Sequence, residues 1–119
     1  LVVEDVFVGR GRGVRKPDWL PRPGLELARK RLAPGGFLVP NTLDESRVVA
    51  SELRRLFEYR LSIGVEDYDN RVFVAGRRPL SAPALHAALR ADPILSVTLP
   101  RLRMRDLVGR RSGWRPRGV

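Results

Sequence analysis

The sequence predicts an α/β fold: a mixed sheet of about four strands, two of them parallel and joined by a crossover, then an antiparallel hairpin, with flanking helices. Three observations predict it. The segment LVVEDVFVG, a Gly/Arg/Pro-rich loop, a short helix ending in LAPGG and the run FLVPNTL follow one another as strand, loop, helix and strand, the order of a right-handed crossover between parallel strands. Two apolar runs, Tyr59 to Val65 and Val72 to Ala75, are joined by the polar connector Glu66-Asp67-Tyr68-Asp69-Asn70, short enough for a hairpin. A parallel sheet covered on both faces needs more strands than this chain supplies, so the chain reads as part of a larger domain.

Each element has a local reason. Leu1 to Val8 is continuously apolar except for Glu4 and Asp5, as expected of a central strand buried on both faces with polar groups toward its carboxyl end. Residues 9–23 hold three Gly and three Pro and read as loop. Leu25, Leu27, Ala28 and Leu32 mark a short helix stopped by Pro34-Gly35-Gly36. Phe37 to Leu43 is the second strand. Thr42 and Glu45 have capping-box spacing ahead of the stripe Val48, Val49, Leu53, Leu56 and Phe57, which predicts a second helix with Thr42 as its N-cap. Ser81 to Ala91 is a third helix, with Ser81 as N-cap and Pro83 in its first turn, where a missing N–H costs least. From Pro93 the pattern weakens, and residues 109–119 read as a disordered basic tail beyond a domain of residues 1–108.

Composition bounds the chemistry. The 119 residues are 43% hydrophobic, enough for one small core burying roughly two thirds of the unfolded surface. With no cysteine and a single histidine, His86, a disulfide, a thiolate nucleophile and a Cys/His zinc site are excluded, so no metal is expected. No apolar run approaches the roughly 20 residues of a membrane span and no charged-then-apolar leader precedes the first strand, which sets the expectation of a soluble, cytoplasmic protein with no membrane partner. The chain opens at Leu1 inside a strand pattern, which reads as a truncation or processing point. The formal charge of +10 is concentrated: residues 10–31 and 100–119 each carry a net +6, and residues 32–99 balance. Such patches favour phosphate-bearing partners, so nucleic acid is one candidate partner.

On LVVEDVFVG, LELARKRLAPGGFLVPNT and NRVFVAGRRPLS, the chain resembles the carboxyl half of the class I S-adenosylmethionine-dependent methyltransferase fold, a Rossmann-like fold, and more narrowly the spermidine synthase-like aminopropyltransferases. These segments match that fold's fourth strand, its fourth helix with the fifth strand, and its seventh strand, and cover residues 1 to about 108. The resemblance implies S-adenosylmethionine or its decarboxylated form as donor, and an amine or other nucleophilic acceptor. It makes Asp5 a candidate general base, since the matching aspartate helps accept a proton from the attacking amine. Asn41, closing the second strand, and Tyr68, in the hairpin connector, are the candidate substrate contacts. Cofactor-binding residues are left unassigned.

One rival assignment is Gly9-Arg10-Gly11-Arg12-Gly13 as the glycine loop that holds the cofactor. Such a loop opens straight into a helix, with an acidic residue about 20 positions on at the end of the next strand. Here Lys16-Pro17-Asp18-Trp19-Leu20-Pro21 interrupts any helix and the next strand ends in Pro40-Asn41. The stretch reads instead as an Arg/Gly loop over the carboxyl end of the sheet. Two functions are therefore carried forward. One is a spermidine synthase-like transferase fragment, moving an aminopropyl or methyl group and inactive alone for want of the glycine loop. The other is a noncatalytic nucleic-acid-binding module using the arginines of residues 10–31 and 101–117. In the first case an exposed apolar strand edge invites the missing half or self-association.

Overall fold

A computed structural model describes residues 1–107 of the chain; the predicted basic tail, residues 109–119, lies outside the described residues. Strands β1 (Val2–Glu4), β2 (Phe37–Thr42), β3 (Tyr59–Val65), β4 (Arg71–Gly76) and β5 (Leu102–Asp106) form one sheet in the order β1-β2-β4-β3-β5. Only β1 and β2 run parallel; the other neighbours are antiparallel. Helices α1 (Gly24–Arg31), α2 (Ser46–Leu56) and α3 (Ala82–Ala91) occupy the three predicted places, and two 3₁₀ segments, Gly11–Gly13 and Leu95–Arg101, lie between elements.

The crossover and the hairpin follow the sequence pattern; four details differ from it. The sheet has a fifth strand, β5, at one edge beside β3. The first strand ends at Glu4, because the Glu4 carboxylate accepts the Val6 N–H at 2.9 Å and turns the chain out of the sheet. Among the described residues β1 is an edge strand rather than a central one, with Val3 63% exposed. Thr42 does not cap α2. It belongs to β2 and donates its hydroxyl to the Arg71 carbonyl at 2.7 Å, while Glu45 stands at the helix start and accepts the N–H groups of Leu43 and Lys16. The Ser81 cap is present: its hydroxyl accepts the Ala84 N–H at 3.2 Å, and the Asp106 carboxylate accepts the Ala82 N–H at 2.7 Å, tying α3 to β5.

Register assigns the two faces. Directly opposed residues share a face, so Leu38, Ala75 and Phe73 look toward α1 and α2. There they join Leu25 of α1 and Val49, Leu53 and Leu56 of α2, with Leu20 and Phe57, in one buried core. The i, i+4, i+7 spacing of Val49, Leu53 and Leu56 gives α2 its apolar stripe; Val48, one residue off it, is exposed. Pro40 sits in mid-strand with no N–H to give, and the paired register of β2 with β4 lapses there, between Leu38↔Ala75 and Asn41↔Val72. Gly76 is required by packing: a Cβ there would lie 2.5 Å from the Phe37 ring.

Candidate functional site at the carboxyl end of the parallel pair

The parallel pair places Asp5, the residue after β1, beside Asn41 near the end of β2. The Asn41 side chain donates Nδ2–H to Asp5 Oδ1 at 2.9 Å, and its own Oδ1 accepts from Asn70 Nδ2 at 3.3 Å. Asn70 immediately precedes β4, so two strand ends and the hairpin exit contribute one side chain each to a hydrogen-bonded chain. A carboxylate can only accept, which fixes the Asn41 amide with its nitrogen toward Asp5; Asn70 completes the orientation from the other side. Asp5 itself is exposed, so a carboxylate held at one oxygen remains open to a ligand. Such a group can orient a cation or accept a proton.

Asp5 and Asn41, both expected from the sequence, are thus brought together. Tyr68 is not brought into this chain. It lies in the β3–β4 turn, 63% exposed, with its N–H donated to the Val65 carbonyl, and its hydroxyl makes no hydrogen bond among the described residues. Asn70 carried no sequence signal of its own, being one polar residue in a polar connector.

A second unforeseen residue, Lys16, engages Glu4, the carboxylate next to Asp5 in sequence. Its ammonium donates to both oxygens of Glu4, at 2.9 and 3.0 Å, and lies 3.8 Å from the centre of the Phe7 ring. Both side chains are nearly sealed, 3% and 9% exposed. Glu4, one residue before Asp5 and on the opposite face, is therefore fully engaged. Lys16 also fastens the Arg/Gly loop to the sheet. Between Val8 and Arg15 the loop closes on itself through reciprocal backbone hydrogen bonds of 2.8 and 2.9 Å. Gly9 makes this return feasible, with φ +96° and no room for a Cβ, which would lie 2.2 Å from the Gly13 carbonyl oxygen. The glycines serve a tight turn, and Arg10, Arg12 and Arg15 are exposed on it.

Farther along, the loop is clamped to α2. Glu52, 4% exposed at its side chain, accepts from Arg22 Nε and from an Arg55 terminal nitrogen, each at 2.6 Å; Arg55 also reaches Glu26 of α1 at 3.1 Å. Arg22 and Glu52 border a cleft of about 580 Å³ between the loop and α2, whose wall includes neither Asp5 nor Asn41. Burial raises the Glu52 pKa, but the hydrogen bonds and charges of Arg55 and Arg22 outweigh it and hold the carboxyl below its ordinary value of 4.5. Its stabilisation is complete above that value and is lost as pH falls through the depressed pKa. The stability gap between the native chain and Glu52→Gln is therefore expected to be largest at pH 6 and to close on acidification below 4.5; denaturant titrations at several pH values check this, and a pH-independent gap refutes it.

Among the described residues no group of three or more His, Cys, Asp or Glu side chains could hold a metal ion, and no helix is long and apolar enough to cross a membrane. The class these observations define is an α/β domain with a five-stranded mixed sheet and a polar cluster at the carboxyl ends of its parallel strands. In comparisons with family models, curated proteins and solved structures, nothing matches the chain.

Proposed function

We propose that the chain is the acceptor-binding half of a group transferase of the spermidine synthase-like, Rossmann-like methyltransferase type, with Asp5 as the base that receives the acceptor's proton. The observation that carries this reading is the Asp5–Asn41–Asn70 hydrogen-bond chain at the carboxyl ends of a parallel pair, the position where open α/β sheets bind ligands. A parallel crossover closed by an antiparallel hairpin, the arrangement the sequence resemblance implies, supports it. An amine acceptor reaches such a site as an ammonium and must lose one proton before its nitrogen can act as a nucleophile. Asp5, anchored through Oδ1, offers its other oxygen to that proton.

The residues described here do not fit the sulfonium donor. The glycine-rich stretch of residues 9–13 makes one 3₁₀ turn, closes back on Arg15 and opens into no α-helix, so no phosphate or ribose cradle of the cofactor-loop kind is formed. No step is therefore routed through the donor. Calorimetric titration with a small aliphatic diamine, the acceptor class a carboxylate can orient, tests the site. Saturable binding that Asp5→Asn weakens about tenfold is the expected result, the loss of one charge-assisted contact. Binding indifferent to Asp5→Asn, or none to the folded chain, overturns the reading; micromolar binding of S-adenosylmethionine itself overturns the absence of a donor loop.

The nucleic-acid reading draws on different residues. Arg10, Arg12 and Arg15 on the loop and Arg101, Arg103 and Arg105 at the opposite sheet edge are all exposed. Binding of that kind weakens steeply with added salt.

A further inference from the structure

We propose that the sheet carries a second site, a cradle for one compact phosphate group, built by Arg71, Arg103 and Arg105 around Gly64. In the register, Arg71 of β4 and Arg103 of β5 both stand opposite Gly64 of β3, so the three form one row across the sheet. Arg105 stands opposite Ser62, two residues along β3 and on the same face. Neighbouring strands are about 4.8 Å apart, so the two arginines of the row straddle the glycine at roughly 10 Å between backbones. Gly64 leaves the floor bare: a Cβ there would meet no atom within 4 Å. Together these residues line an open cleft of about 340 Å³.

Charge argues for an anion. Among the described residues Arg71, Arg103 and Arg105 make no ion pair, and all three are exposed. Gathered in one cleft they repel one another, and a planar guanidinium fork matches a tetrahedral phosphate at two oxygens. The position of the acids argues for a small anion over a polymer. Glu66, Asp67 and Asp69 line the adjoining cleft, which shares Gly64, Arg71 and Arg103 with the cradle. A single phosphate can sit between the arginines, whereas a continuing phosphodiester strand leaving in that direction meets three carboxylates. The site faces the α1/α2 side of the sheet, and Asp5–Asn41–Asn70 faces the other, so the cradle does not depend on the transferase reading.

Titration of the full chain with inorganic phosphate and a nucleoside monophosphate, followed by calorimetry and by the Gly64 amide resonance, tests the proposal. Saturable one-to-one binding of inorganic phosphate is expected. Arg103→Gln is expected to weaken it about tenfold or more, by loss of a charge-assisted contact. Gly64→Val, filling the floor with a side chain suited to a strand, is expected to weaken it as much while leaving the thermal midpoint unchanged or higher. Arg10→Gln with Arg12→Gln, on the distant loop, is the control and should change affinity less than about twofold. A nucleoside monophosphate that binds more tightly than inorganic phosphate assigns the ligand to a nucleotide; equal binding assigns it to free phosphate, and either supports the cradle. Equal losses in the loop control, full binding by folded Gly64→Val, or tighter binding of a single-stranded oligonucleotide that Gly64→Val does not affect would each overturn it. Should Gly64→Val fail to fold, Arg103→Gln against the loop control decides.

Discussion

Lys16→Met is expected to lower the unfolding free energy by about 3–5 kcal/mol, the range for breaking a buried ion pair by removing one partner. Glu4 is left in a site only 9% exposed at its side chain, retaining the Val6 N–H but losing the ammonium at 2.9 and 3.0 Å. The loss comes from the stranded carboxylate, so it should largely vanish when both partners are replaced. Glu4→Leu with Lys16→Met is expected to recover most of the stability, because two apolar side chains remove the desolvated charge as well as its partner. Urea midpoints for the four members of the cycle measure this, and a single-variant loss below about 1 kcal/mol would show that the pair is solvated. The Lys16 ammonium also lies over the Phe7 ring, so the same substitution should loosen the Arg/Gly loop and the anchorage of Asp5, one residue beyond Glu4, although the backbone N–H given to Glu45 is retained.

That pair shows where the sequence was legible and where it stopped. Periodicity located α2, the Ser81 cap and Pro83 located α3, and the turn residues located the β3–β4 hairpin, because each is decided by neighbours a few positions apart. Asp5 and Asn41 were legible for the same reason, since polar residues closing apolar strands point to the carboxyl end of a sheet. Lys16 was not, because its partner lies 12 residues away across a loop with no period; a glutamate inside an apolar strand was the only hint that a buried cation must exist. The strand β5, LRMRD, has two apolar residues among five, and its pairing with β3 is a tertiary fact. Thr42 has the spacing of an N-cap, but the strand takes its hydroxyl for the Arg71 carbonyl. Val6 and Val8 look like strand interior and leave the sheet because the Glu4 side chain competes for the next backbone N–H.

The two candidate sites lie on opposite faces of the sheet. Asn70 and Arg71 are consecutive in an extended segment, so their side chains leave on opposite faces: Asn70 joins Asn41 and Asp5, and Arg71 joins the arginine row. The sheet therefore places the Asp5–Asn41–Asn70 chain and the arginine row on opposite faces.

The second large effect concerns the core that holds this arrangement. Leu53→Ala is expected to cost about 2–5 kcal/mol, combining lost burial with the cavity left behind. Leu53 is fully buried at the middle of α2, between Val49 and Leu56, and belongs to the core that includes Leu38, Phe73 and Ala75 of the sheet. Domains of this size are stable by only about 5–15 kcal/mol, so one truncation there consumes a large share of the total. Val48→Ala, on the exposed side of the same helix at 57% exposure, is the matched control and should lie within about 0.5 kcal/mol of the native chain. Denaturant midpoints with unchanged slopes separate the two variants. A Leu53→Ala loss no larger than that of Val48→Ala would mean that α2 does not pack on β2 and β4. The end of β2 would then have no rigid support, and the Asp5–Asn41–Asn70 chain no fixed geometry.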